Sequence, residues 1–183
     1  MAAIETHGLT RYFDKACAVD HVDLRVERGT FYGFLGPNGA GKSTTIKMLT
    51  GLLAPSRGEM LVLGHDIRQP ASALEVKRRI GVVPEGLALF ENLTAREYLT
   101  FVGRMHLMSL DTIRTRSDDL LDMLQLGGET KKLTIEYSHG MKKKLALAAA
   151  LLPNPDLLFL DEPFEGVDAV TSRVIKDLLN NFV

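Results

Sequence analysis

The sequence has a single cysteine, Cys17, among 183 residues, so no disulfide can close within the chain, and this usage suits a reducing compartment. It has almost no net charge: 22 Lys and Arg against 23 Asp and Glu leave -1 with histidine neutral. No overall basic excess points to nucleic acid or to an anionic membrane surface, so a polyanion site has to be local. Long hydrophobic runs are missing too. The longest unbroken apolar stretch, residues 145–152, falls far short of the roughly 20 residues that cross a bilayer. The start, MAAIETHGLT, lacks the basic segment leading into an apolar one that marks a secretory signal. No internal repeat or low-complexity linker interrupts the chain. The expectation is one cytosolic domain that reaches a membrane only through a partner.

What is present is enough apolar material for a core, at 45% hydrophobic and 25% charged residues. Val22, Leu24 and Val26 alternate with Asp23, Arg25 and Glu27, the period-two pattern of a half-exposed strand ending at the Arg28-Gly29 turn. Residues 60–63 and 80–83 read as further short strands. FYGFL (residues 31–35) and LLFL (residues 157–160) are almost wholly apolar, as central parallel strands covered on both faces are. Between them Thr94-Ala95-Arg96-Glu97 has the form of a capping box, opening a helix that carries Tyr98, Phe101, Val102 and Met105. A second helix places Leu120, Leu121 and Leu124 on one face and is expected to stop at Gly127-Gly128. A helical insertion thus divides an α/β core.

After FYGFL comes Gly36-Pro37-Asn38-Gly39-Ala40-Gly41-Lys42-Ser43-Thr44, which fits G-x-x-x-x-G-K-[ST] in the setting of strand, loop and helix. Glycines allow a tight loop whose backbone N–H groups converge on an anion, and the helix from Lys42 towards Thr50, with Gly51 at its end, adds its positive terminus. Lys42 is expected to neutralise β and γ phosphates, and the Ser43 hydroxyl to coordinate Mg²⁺. A second metal residue belongs at the end of a neighbouring strand, and LLFLDEP supplies one: Asp161 for Mg²⁺, with Glu162 placed to polarise an attacking water. A further segment, IEYSHGMKKKL (residues 135–145), joins a Ser138-His139-Gly140 turn to three lysines and the run LALAAALL. On its own it reads as an N-capped helix whose Lys142, Lys143 and Lys144 form a solvated face.

With these motifs in this order the sequence resembles the ATPase subunit of ABC transporters. GPNGAGKST stands as the P-loop, VVPEG (residues 82–86) at the Q-loop, YSHGM at the signature usually written LSGGQ, LLFLDEP as Walker B and EGVD at the D-loop. The resemblance implies an ABC-type P-loop NTPase, α/β, with a parallel-sheet core, a small antiparallel β subdomain and a helical insertion. It divides the single domain into residues 1–91 and 134–183 for core and β subdomain and 92–133 for the helical part. It implies ATP and Mg²⁺ as cofactors, with Glu162 and Lys42 catalytic, Ser43, Glu85 and Asp161 on the metal, and residues 36–44 cradling the phosphates. Two such domains pack head to tail as a homo- or heterodimer, so Ser138 and Gly140 reach the γ-phosphate held by the partner. Phe13 fits the aromatic position that stacks on adenine better than Tyr12 does; the less favoured alternative is that both rings cover a core edge.

The variants at Glu85 (for glutamine) and in YSxGM resemble the ABC-2 exporter branch, whose ATPases pair with separate integral membrane permeases. That implies a peripheral place at the cytoplasmic face of the cell membrane, export as the work done, and no nucleic-acid partner. His139 and Met141 replace glycine and glutamine of the signature, and Glu165 replaces the D-loop serine. His7, His21, His65, His106 and His139 all precede the D-loop's end, leaving no switch histidine, and the family's next core strand is missing after the amphipathic segment Val174, Ile175, Leu178, Leu179, Phe182. The chain reads as truncated at its C-terminus, with an uncovered sheet edge that lowers stability, and binding without turnover competes with hydrolysis for the polypeptide as given.

Overall fold

The computed structural model describes residues 2–180, and Phe182 lies outside them. The chain forms two compact units, Met1–Ile80 and Gly81–Val183. In the first, β1 (Ala2–Phe13) and β2 (Ala16–Glu27) make a long hairpin turned at Asp14, whose φ of 50° is left-handed. Two more strands, β3 (Arg57–Val62) and β4 (His65–Asp66), complete an antiparallel sheet in the order β2-β1-β3-β4. Ile4 sits opposite Val26 on one side and Val62 on the other, so the alternation seen in β2 delivers one apolar face to the core. Helices α1 (Lys42–Leu49) and α2 (Pro70–Arg79) belong to the same unit. Helix α1 ends at Thr50 with Gly51 left-handed beyond it, as its sequence requires.

The second unit takes in β5 (Ile80–Val83) from Gly81 onward, then α3 (Ala95–Met105), α4 (Leu110–Met123), α5 (His139–Leu151), β6 (Leu157–Leu160) and α6 (Ala169–Asn180). Strands β5 and β6 are paired neighbours in a parallel sheet. Gly81 allows β5 to lie against α5, since a Cβ built there would fall 2.4 Å from the Ala150 carbonyl oxygen. Helix α5 is the hub of this core: residues 143–151 are all buried, and Leu99 of α3, Leu121 of α4 and Ile175, Leu178 and Leu179 of α6 join the same cluster. Arg116 of α4 ties down its end, Nε donating to the Leu152 carbonyl at 2.7 Å and Nη2 to Leu151 at 3.1 Å.

The capping box on α3 is complete. Thr94 accepts from the Glu97 N–H, and the Glu97 carboxylate accepts from the Thr94 N–H at 2.8 Å. The buried stripe of α3 is Ala95, Leu99 and Gly103, with Tyr98 and Val102 half-buried beside it and Phe101 and Met105 exposed. The base of α3 and α4 is closed by pairing of flanking chain, with Thr134 N donating to Leu93 O at 2.8 Å, Ile135 N to Glu91 O at 3.1 Å and a bridge between Thr94 and Leu133.

Three sequence readings are corrected here. Residues 31–35 form no strand: Phe31, Tyr32 and Leu35 are exposed, Leu35 to 94%. A strand buried on both faces needs a ladder partner on each edge, and among the described residues none pairs with this segment. Strand β6 forms where LLFL stands, but only Phe159 is buried, because among the described residues its sheet has two strands rather than a covered centre. Helix α4 ends before Gly127: Gln125 takes the left-handed position at φ 57°, its N–H reaching Asp122 O while Leu126 N reaches Leu121 O at 2.7 Å. That is a Schellman closure, sealed by contact-ready Leu121 and Leu126, both buried.

A candidate nucleotide-binding site

In the first unit the glycine-rich loop is shaped by its own backbone. Ala40 N–H donates to Pro37 O at 3.1 Å, Gly39 and Gly41 stand at φ 82° and 86°, and Gly41 N-caps α1. Gly41 has a second reason to lack a side chain: a Cβ there would lie 2.3 Å from the Ala18 carbonyl oxygen. Thr45 locks the first turn, its N–H and hydroxyl both donating to Gly41 O, at 2.8 and 2.9 Å. Lys42 folds over the loop, with Nζ donating to Gly36 O at 2.9 Å and Pro37 O at 3.2 Å. These weak carbonyl partners are ones an arriving phosphate can replace. Ser43 opens α1 beside Lys42, and Gly36, Pro37, Asn38, Gly39 and Ala40 are exposed.

At the end of β1, Phe13 is 45% exposed with the Arg11 guanidinium 4.7 Å from its centroid. Tyr12 is engaged otherwise, lying opposite Cys17 on β2, with a hydrogen bond to the Cys17 thiol pushing its phenol pKa up. Of the two rings, Phe13 is the more available to a base.

The second unit gathers the acidic and signature residues. Asp161 follows β6, its N–H donating to Val83 O at 2.9 Å, so the end of β6 is pinned to the end of β5, just before Pro84-Glu85. Asp161 is 6% exposed, whereas Glu85 and Glu162 lie open to solvent. Glu162 adopts φ 49°, a left-handed conformation rare for a residue with a side chain, and its carbonyl accepts from Glu165 N–H at 3.2 Å. Ser43, Glu85 and Asp161 all offer oxygen, the donor chemistry that suits a hard cation such as Mg²⁺.

Ser138 N-caps α5, its hydroxyl accepting from Met141 N–H at 3.2 Å. Gly140 is buried because α6 starts against it; a Cβ there would meet Thr171 Oγ1 at 3.1 Å. Asp168 in turn caps α6, with Oδ1 accepting from Thr171 N–H at 2.9 Å and Oδ2 from its hydroxyl at 2.8 Å. Those two bonds, the backbone one foremost, hold the Asp168 carboxyl below its ordinary pKa. The His139 ring lies over Gly166 of the D-loop, its Cδ2 and Nε2 each 3.2 Å from where a Gly166 Cβ would be. His139 itself is exposed.

The reading of Lys142, Lys143 and Lys144 as a solvated face is overturned. Lys142 is half-buried and pairs with Glu91 at 3.5 Å. Lys144 is buried, and Lys143 is 2% exposed with Nζ donating to the Glu162 carbonyl at 2.5 Å. A helix surrounded by core has no wet face to offer. The signal was in the sequence: LALAAALL is apolar all round, and such a helix is buried on every side. Buried Tyr137, the first residue of YSHGM, donates its hydroxyl to Glu129 O at 3.0 Å and so fixes the approach to the signature turn.

A left-handed glycine loop closing onto a helix, in an α/β chain with an acidic pair at a strand end, defines a P-loop nucleotide-binding protein. The family model described as ABC transporter matches residues 19–165, and the chain belongs to that family. It is 42% identical over 181 residues to the daunorubicin/doxorubicin resistance ATP-binding protein DrrA of Streptomyces peucetius, covering 99% of this chain and 54% of DrrA. It is 39% identical to the bacitracin transport ATP-binding protein BcrA of Bacillus licheniformis, covering 97% of this chain and 56% of BcrA. A solved ATP binding subunit of an ABC transporter superposes with a TM-score of 0.88 at 29% identity, over 98% of this chain and 74% of that one. The chain spans about half the length of the curated relatives it matches.

Proposed function

We propose that the chain is the ATP-binding and ATP-hydrolysing domain of an exporter of the ABC-2 type, working with a separate membrane permease. The observation that carries this reading is the end of β6, where a buried Asp161 locked to Val83 precedes an exposed Glu162. One carboxylate belongs to a buried residue and the other to an exposed one, a division that suits metal binding and water activation. The loop at residues 36–44 cradles the phosphates by its N–H groups and Lys42, and Phe13 stacks on the base. Ser43, Glu85 and Asp161 would hold Mg²⁺, which when bound neutralises phosphate charge. Glu162 orients and deprotonates water for in-line attack on the γ-phosphoryl.

Ser138 and Gly140, at the N-terminus of α5, are the surface offered to nucleotide on a second ATPase domain packed head to tail. The permease meets an apolar patch on residues 92–133 and the chain before them: Phe90, Phe101, Met105 and Leu107 are exposed, and Phe90 stacks edge-on with Phe101 at 5.0 Å. No helix among the described residues is long and apolar enough to cross a membrane, so the reading places the chain at the cytoplasmic face through that partner. The near-zero net charge argues against nucleic acid. DrrA and BcrA are named for drug resistance and bacitracin transport, which supports export. Steady-state ATPase assay tests the reading: hydrolysis by the wild type that is lost in Glu162→Gln, with nucleotide binding kept, is expected. Binding without turnover in the wild type would overturn hydrolysis as this chain's activity.

A further inference from the structure

We infer that Lys143 is a positioning residue that sets the backbone of Glu162 and couples it to the signature turn. The inference rests on the reading of Glu162 as the water-activating group. Lys143 is one of the most deeply buried side chains, 2% exposed in the middle of an apolar cluster. An ammonium leaves water only at a large cost, which a strong partner must offset. Its Nζ donates to the Glu162 carbonyl at 2.5 Å, a charge-assisted bond of the short, strong kind. The same carbonyl accepts from Glu165 N–H at 3.2 Å, so it is clamped from two sides while Glu162 holds φ 49°. That backbone conformation is disfavoured for any side chain beyond glycine and persists where surroundings enforce it. The lysine supplies the enforcement, and the direction in which the Glu162 carboxylate leaves the chain follows from it.

The second half of the inference concerns what carries Lys143. It stands in the second turn of α5, whose first residues are the Ser138 cap and buried Gly140. A helix moves as a rigid rod over such a distance, so displacement of the signature turn reaches the Glu162 carbonyl through one side chain. The sequence assigned this lysine no function beyond wetting a helix face; burial and the bond to Glu162 together give it one.

The experiment compares wild type, Lys143→Met and Lys143→Arg, since methionine keeps the volume without the donor and arginine restores a buried cation with N–H groups. Steady-state kinetics should show kcat lowered on the order of 10²-fold in Lys143→Met, the scale of a misplaced reacting group, with KM for ATP unchanged, and substantial recovery in Lys143→Arg. In parallel, hydrogen exchange without nucleotide should speed up in peptides spanning residues 160–168 in Lys143→Met, while those of α3 and α4 stay at wild-type rates. Should Lys143→Met not fold, Lys143→Leu takes its place with the same expectations. Unchanged exchange across residues 160–168 in a folded variant overturns the inference, as does a Lys143→Arg chain no better than Lys143→Met. If the wild type binds ATP without hydrolysing it, hydrolysis falls as the function and exchange alone decides the role of Lys143.

Discussion

The loop at residues 36–44 is braced by bonds between near neighbours in sequence: Ala40 bonds to Pro37, Thr45 to Gly41, and Lys42 to Gly36 and Pro37. Across the second unit the arrangement is the reverse. Asp161 is held by Val83 and Glu162 by Lys143, while Thr171 leaves no room for a side chain at Gly140 and the His139 ring none at Gly166, each partner arriving from another element. A site made from local backbone geometry tolerates change around it but almost none within it. A site made by convergence is sensitive to remote residues that hold the converging elements.

The sharpest break of the first kind is Gly41→Ala. The left-handed φ of 86° and the 2.3 Å approach to Ala18 O leave no room for Cβ, so the loop must rearrange at a cost of about 2–4 kcal/mol. Affinity for a fluorescent ATP analogue, measured by titration, should fall sharply while the helical signal of the second unit persists. Retained affinity would show that the loop is not preformed by this contact.

A remote break of the second kind is Arg116→Met. It removes the Arg116 donors from the Leu151 and Leu152 carbonyls at the end of α5, leaving Leu151 O its bond from Asn154 N–H, and should destabilise the chain by about 1–3 kcal/mol in urea unfolding. Nucleotide affinity should be little changed. An effect on affinity as large as that of Gly41→Ala would erase the distinction between the two regions.

The smallest effect is a pH dependence at the α6 cap. Because Thr171 lowers the Asp168 pKa in the folded chain, the charged carboxylate is favoured by folding. Its contribution is complete above the unfolded value of about 3.9 and is lost as pH falls through the lower folded value. Urea midpoints of wild type and Asp168→Ala should therefore differ at neutral pH and converge on acidification. A gap that stays constant to low pH would show that the cap does not act through charge.

The local features were legible in the sequence for the same reason that they are robust. The Thr94–Glu97 capping box, the β2 alternation and the P-loop each depend on residues within a few positions of one another. What escaped depended on distant partners. FYGFL has a strand's composition, but no ladder partner among the described residues; Gln125 at φ 57° carries no mark that distinguishes it from any helical glutamine. Lys143 looked like a charge for solvent because nothing nearby names the Glu162 carbonyl as its destination, although the all-apolar run after it showed that the helix is interior. Phe13 lay between the cases: the resemblance singled it out over Tyr12, but neither its place at the end of β1 nor its exposed ring beside Arg11 was readable.

The proposed function has the loop of one chain work with the signature turn of another. Complementation tests this most directly: Lys42→Ala and Ser138→Asp chains, each inactive alone, are mixed and assayed for ATP hydrolysis beside the wild type. A head-to-tail pair has one intact composite site, formed by the loop of the Ser138→Asp chain and the signature turn of the Lys42→Ala chain, so the mixture should regain part of the wild-type rate. A mixture that stays as inactive as its components, under conditions where the wild type turns over ATP, would contradict the account.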